Sequence, residues 1–274
     1  MEIGKKFKSI EYYNQQMSLG MKDKLFFIDK LPARDYSNFV FIDFGCADGA
    51  LIRELSAIWP DAEYIGYDIS EQMIDFAKKS FYGEIEKTNT LFTTSWEEAF
   101  GKVAALKEKK QTYTVLILSS VIHEVYSYAK IKKDVDEFWN RVLNTGFDCI
   151  VLREMSLTGK VCFDYVNPED LNKIKQVQSV ADLLASFETR WGQITTKGQL
   201  IHFLLKHRWR INWEREVNEN YFPIMTDELL SIFTSQYRIS YLERFRVEFL
   251  DDTIWNTFGI QLKDPTHIKA IFVK

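Results

Sequence analysis

Three carboxylates and two glycines are the residues best spaced to do chemistry. The run Asp43-Phe-Gly45-Cys46-Ala47-Asp48-Gly49 ends one short apolar stretch, and Asp68 ends the next, 25 positions after Asp43. A glycine turn between a strand and a helix is where nucleotide folds cradle their ligands. Charge decides which ligand. Unit charges about 6 Å apart interact by roughly 3 kcal/mol at an effective dielectric near 20. Asp43 and Asp48 would therefore repel a pyrophosphate and favour a ligand that is cationic where it meets the loop. The third and sixth places of a dinucleotide fingerprint are Ala47 and Ala50, and no Gly-Lys-Ser/Thr of a P-loop follows. Asp68 is placed to accept hydrogen bonds from two ribose hydroxyls. An adenosine attached to a phosphate-free cation satisfies all three carboxylates.

A second constellation is Ser119-Ser120-Val-Ile-His123-Glu124-Val-Tyr126. His123 is the natural general base, since an unperturbed imidazole titrates near neutral pH. The plainer reading is a helix-start histidine bonded to backbone. Glu124 either orients His123 or favours a helix N-terminus electrostatically. Tyr13 and Tyr126 can close over a cation with their ring faces, or be core. Arg153 suits an anionic substrate group or a structural ion pair.

A third feature lies in residues 190–215. Arg190, Lys197, Lys206, Arg208, Arg210 and Arg215 alternate with Trp191, Trp209 and Trp213. Such a run can track phosphates and stack bases. It can equally form a lid helix whose basic side chains lay their apolar stems on the surface. Glu214, Glu216 and Glu219 break its positive character. His202 and His207 stand five apart, on different helix faces, so no metal site is expected.

These residues need elements to position them. Short apolar runs at 39–45, 63–68, 90–94, 115–119 and 149–152 read as buried strands. Helical patterns at 50–59 and 134–143 alternate with them, as does one starting after Ser70, a fitting N-cap, and carrying Met73. Alternation of this kind implies βαβ units and a parallel sheet with helices on both faces. Tyr13, Met17, Met21, Leu25 and Ile28 mark one face of a helical arm that Pro32 ends. After residue 152 the alternation stops. Residues 156–221 read as mostly helical, 226–236 as a further helix, and 237–249 and 267–273 as the last two strands. The expected division is an arm at 1–38, a ligand-binding core at 39–155, a helical cap insertion at 156–225, and a last helix and closing strands at 226–274.

With those elements in place, "FIDFGCADGALIRELS", "YIGYDIS" and "LILSSVIHEV" resemble a class I S-adenosylmethionine-dependent methyltransferase. The resemblance covers residues 39–155 and implies a doubly wound, mostly parallel seven-stranded α/β sheet closed by an antiparallel hairpin. It implies S-adenosyl-L-methionine as cofactor and S-adenosyl-L-homocysteine as product. It also assigns Asp43, Gly45, Cys46, Ala47 and Gly49 to the methionine-binding loop and Asp68 to the ribose. Ile69, Met73, Ser95 and Trp96 would surround the adenine, and Ser119 and Ser120 would line the methyl-transfer mouth. Ala47 departs from the family's frequent glycine and is tolerable with a negative φ. The Asp/Asn-Pro-Pro-aromatic motif of base amino-methylation is absent, and no cysteine ends the fourth strand.

Composition agrees. The chain has 274 residues, 46% hydrophobic and 27% charged, with net charge -4. That excludes a disordered chain and a global basic field for nucleic acid. Three scattered cysteines, no apolar run long enough for a membrane and no secretory signal point to a reduced, cytoplasmic setting. The expected reading is a methyltransferase acting on a small molecule beneath the cap, with His123 as base, Glu124 beside it, and Tyr13, Tyr126, Arg153, Trp209 and Trp213 toward substrate. The alternatives are an RNA or nucleotide methyltransferase using residues 190–215, and a non-catalytic cofactor-binding regulator. A nicotinamide dehydrogenase is disfavoured by Asp43 and Asp48.

Overall fold

The computed structural model describes residues 9–32, 35–82, 89–109 and 112–274. The first eight residues of the expected arm therefore lie outside the described ones. Seven strands form one sheet: β1 Phe39–Phe44, β2 Glu63–Tyr67, β3 Thr90–Thr93, β4 Tyr113–Ser119, β5 Cys149–Met155, β6 Arg238–Phe245 and β7 His267–Val273. Their order is β3-β2-β1-β4-β5-β7-β6. The first five pair in parallel, and β7 runs antiparallel to both β5 and β6. Chain order reverses between β1 and β4, so a crevice opens at the carboxyl ends of those two strands.

All six residues of β1 are buried, as a continuous apolar run between two helical layers requires. The arm contributes α1 Ile10–Ser18 and α2 Met21–Lys24. The core helices are α3 Ala50–Ile58, α4 Glu71–Tyr82, α5 Trp96–Lys109, α6 Ile122–Tyr128 and α7 Lys132–Asn144. Phe27 and Leu31 pack with α3 and α4 on one face of the sheet. On the other face lie Ala99 and Val103 of α5 and Phe138, Trp139 and Val142 of α7.

The segment expected as a cap holds α8 Gly159–Phe163, α9 Pro168–Gln176, α10 Ala181–Trp191, α11 Lys197–Lys206 and α12 Trp213–Glu216. Then α13 Thr226–Thr234 returns to the sheet through Leu229 and Phe233. The strand expected over 237–249 stops at Phe245, and α14 Glu248–Phe258 follows. The apolar residues at 247 and 249 prolong the look of a strand. Leu250, Ile254 and Phe258, however, recur every four residues and bury one helical face in the cap's own core. The last two strands are thus antiparallel neighbours joined through a helix, not through a tight turn.

Candidate active site

Two spaces meet above the strand ends. The first is a cleft of about 1110 Å³ around the glycine turn. Gly45 and Gly49 have φ of 79° and 72°, values that favour glycine. A Cβ on Gly45 would lie 2.6 Å from Val121 Cγ2, and one on Gly49 would lie 2.9 Å from the Phe92 ring. Ala47 does not keep the negative φ expected of it. It sits at +46°, held by its N–H donating to Asp68 Oδ2 at 2.9 Å. A left-handed alanine costs roughly 1–2 kcal/mol. Ser120, ending the fourth strand's turn, has φ +55°.

The carboxylates differ in state. Burial pushes Asp43 up to about 7, with Lys24 of the arm working against that rise. Asp68 is raised by burial too, opposed by the amides of Ser70 and Ala47 that it accepts from. Asp48 is paired with Arg53 at 3.3 Å and accepts from Ala50 N at the start of α3. Capping of α3 thus falls to Asp48, which leaves Asp43 for the cleft.

Asp43, Gly45, Cys46, Ala47, Asp68, Ile69, Met73, Ser119 and Ser120 all line the cleft, together with Tyr13 and Asn14 of the arm. Gly49 sits behind it, against Phe92. Ser119 Oγ and both polar atoms of the Asn14 amide are buried without a hydrogen-bond partner among the described residues. A cradle closed to a Cβ, an acidic floor, an apolar side formed by Ile69 and Met73, and orphaned polar atoms on the wall fit S-adenosylmethionine. Ser95 and Trp96 do not reach the cleft. Ser95 caps α5 by accepting from Glu98 N. The Trp96 ring packs against Phe44, Tyr67 and Phe100, below the sheet end.

The second space, about 640 Å³, lies between the sheet and the cap. Its wall is an ion cluster, buried except at Glu124. Arg215 meets Glu124 at 2.9 Å, Glu216 at 2.9 Å and Glu219 at 2.7 Å. His123 Nδ1 lies 3.0 Å from Glu154 Oε1, and its Nε2 lies 3.6 Å from Glu219 Oε2. Burial alone would lower the imidazole pKa, but the two carboxylates outweigh it and hold His123 up to about 10. The two carboxylates that face its ring nitrogens favour the imidazolium form. Glu124 is different. Burial raises it to about 7 despite Arg215. His123, Glu124 and Glu219 bring ligand atoms within 4.8 Å of one another, yet Arg215 already supplies a cation to the two glutamates.

Of the residues expected toward substrate, Tyr13, Arg153 and Trp209 line this cavity. Tyr13 stacks on Trp209 at 5.5 Å between centroids. Tyr126 accepts from Trp139 Nε1 in the sheet core. Trp213 is buried in the cap and donates to Ser186. The basic-aromatic run also turns inward: Lys206, Trp209, Trp213 and Arg215 are buried, so it presents no continuous stacking surface. Sequence reasoning missed Lys24, Glu154 and Glu219. Glu154 left a signal, a second charge beside Arg153 in an otherwise apolar strand. Lys24 and Glu219 reach the site from distant segments and left none.

Residues 42–146 match the family model described as a methyltransferase domain. No curated protein sequence matches the chain. Among solved structures it is similar to the plantazolicin methyltransferase BamL, in complex with a triazolic desmethylPZN analog and SAH. That match has 15% identity and a TM-score of 0.49, covering 97% of this chain and 89% of that one. It is also similar to an O-methyltransferase family 2 protein from Planctomyces limnophilus in complex with apigenin. There the identity is 8% and the TM-score 0.50, with 97% of this chain and 62% of that one covered. A SAM dependent methyltransferase from Archaeoglobus fulgidus matches at 15% identity and a TM-score of 0.47, over 96% of this chain and 99% of that one. At such identities none of these likenesses speaks to activity or substrate, and only the match at a TM-score of 0.50 bears on the fold. No helix among the described residues is long and apolar enough to cross a membrane.

Proposed function

We propose that this chain transfers a methyl group from S-adenosylmethionine to a small molecule held beneath the cap, a reading supported by the match of residues 42–146 to a methyltransferase-domain family model. The carrying observation is that the two spaces share a wall. Tyr13, Lys24, Ser120, Glu124 and Arg215 line both the cleft and the cavity. A donor in one and an acceptor in the other would meet at that wall, and alignment is most of the work in a displacement. The cofactor, when bound, supplies an electrophilic methyl group on a sulfonium.

This chain's residues do the rest. Asp68 holds the ribose hydroxyls, and Asp43 faces the cationic part of the donor. Tyr13 offers a ring face near the transfer point, backed by Trp209. Glu124, at the shared wall with a pKa near 7, takes the proton from the acceptor. His123, Glu154 and Glu219 fix that wall electrostatically. A cavity walled by sheet residues on one side and by residues 205–221 on the other suits a small molecule, and the inward-turned basic run disfavours RNA.

Binding of S-adenosylmethionine is measured by calorimetry, and labelled methyl transfer in fractionated extract. Asp68→Ala should weaken binding about 10- to 100-fold through lost charge-assisted hydrogen bonds. Asp68-dependent label in the small-molecule fraction is expected. Nuclease-sensitive label would transfer the reading to RNA. Cofactor binding without label in any fraction would make the chain a non-catalytic regulator.

A further inference from the structure

The cavity holds cations that the ion cluster does not use. Arg153, 6% exposed, and Arg208 line it, and neither makes a salt bridge among the described residues. The Nε of each is buried with no hydrogen-bond partner among the described residues. Both are held in place by other means. Arg153 donates to Ser120 Oγ at 2.8 Å and lies over the Phe245 ring. Arg208 donates to Gln16 Oε1 at 2.8 Å and lies 4.1 Å from the Trp209 ring centroid.

The carboxylates that act on them from neighbouring elements are Asp23, Glu154 and Glu216, and each is bonded elsewhere. Asp23 meets Lys269 at 2.8 Å. Glu154 serves His123 and the amides of Ile122 and Met155. Glu216 serves Arg215 and the Tyr221 hydroxyl. His267, on β7, is driven toward its neutral form by burial and by Arg153. Lys24, on the arm, adds a third cation, lowered to about 8 by burial and by Arg153. Guanidinium groups buried without counterions are costly unless a ligand anion completes them.

We propose that the methyl acceptor carries a carboxylate, and that Arg153 and Arg208 hold it. This rests on the methyltransferase reading above. Neither arginine lines the cofactor cleft, so the anion they take is not the donor's. A guanidinium fork matches a carboxylate. Glu124 and Glu216 line the same cavity and would oppose a phosphate dianion more strongly than a monoanion.

The test passes extract through a small-molecule filter and an anion exchanger, then assays each fraction with the full-length enzyme and labelled S-adenosylmethionine. Acceptor activity should be retained and salt-eluted, and Arg208→Gln should raise the acceptor KM about 10- to 100-fold, with Arg208→Lys in between. Acceptor in the flow-through, or an unchanged KM, overturns the proposal. In parallel, calorimetry on wild-type protein loaded with S-adenosylhomocysteine compares benzoate, benzamide and phenyl phosphate. Benzoate binding tightest is expected; benzamide or phenyl phosphate equalling it overturns the proposal. If the loaded protein binds benzoate but methylates nothing in any fraction, the methyltransferase reading fails while the anion site stands.

Discussion

His123 Nδ1 lies 3.0 Å from Glu154 Oε1, while the other oxygen of Glu154 accepts from Ile122 N at 2.7 Å. The last turn of β5 thereby fixes the first turn of α6, and it does so through a charged histidine. A group held up to about 10 in the fold, against 6.5 when unfolded, stabilises fully below pH 6.5. That contribution is lost as pH rises through about 10. Urea unfolding of wild type and His123→Gln at pH 6, 8 and 10 checks this. The wild-type advantage should shrink steadily toward pH 10, and a constant difference would show that folding leaves the His123 pKa at its ordinary value.

With Glu124 as the proposed proton acceptor, that residue should set the acid side of the rate profile. With a pKa near 7, its ionised fraction grows as pH rises through neutrality, so kcat/KM should climb through about pH 7. Glu124→Gln should lower kcat about 10²- to 10⁴-fold and abolish that limb. A variant that keeps the wild-type limb at reduced height would assign the proton transfer to another group.

Ala47 carries avoidable strain. Ala47→Gly should relieve roughly 1–2 kcal/mol of left-handed strain and lose about 0.4–1 kcal/mol to unfolded-chain entropy. The net gain of about 1 kcal/mol corresponds to roughly 2 °C in Tm at this size. Calorimetric scanning reads it directly, and a lower Tm would mean that the alanine methyl packs usefully.

Much of this was legible. The strands around β1 and β5 are continuous apolar runs, and a strand buried on both faces cannot be written otherwise. Asp43, Gly45 and Asp68 were readable because a turn's charge and its tolerance of side chains are local properties. Trp96 was misplaced because position after a strand does not say which side of the sheet a ring takes. The state of His123 was hidden in a different way. Its pKa depends on Glu154 and on Glu219, whose segment is brought over the sheet only by cap packing. The helix α14 was hidden by apolar neighbours at its start that extend the pattern of an edge strand.

Gly45 and Val121 form a contact that tolerates nothing between them. Gly45→Ala would set a Cβ 2.6 Å from Val121 Cγ2 at φ 79°, and overpacking of this kind costs about 1–3 kcal/mol. Val121→Ala removes the opposing methyl, so the double variant should be less destabilised than the two single losses added together. Strict additivity in denaturant titrations would place the cost in backbone strain alone.

The cap core draws on two stretches of chain, 157–222 and 247–262, with α13 and β6 running between them. Leu250, Ile254 and Phe258 fill the same apolar interior as Phe187, Leu204 and Tyr221. Neither stretch closes that interior by itself. A recombination event that exchanged only the longer stretch would hand α14 a foreign partner and leave both halves mismatched.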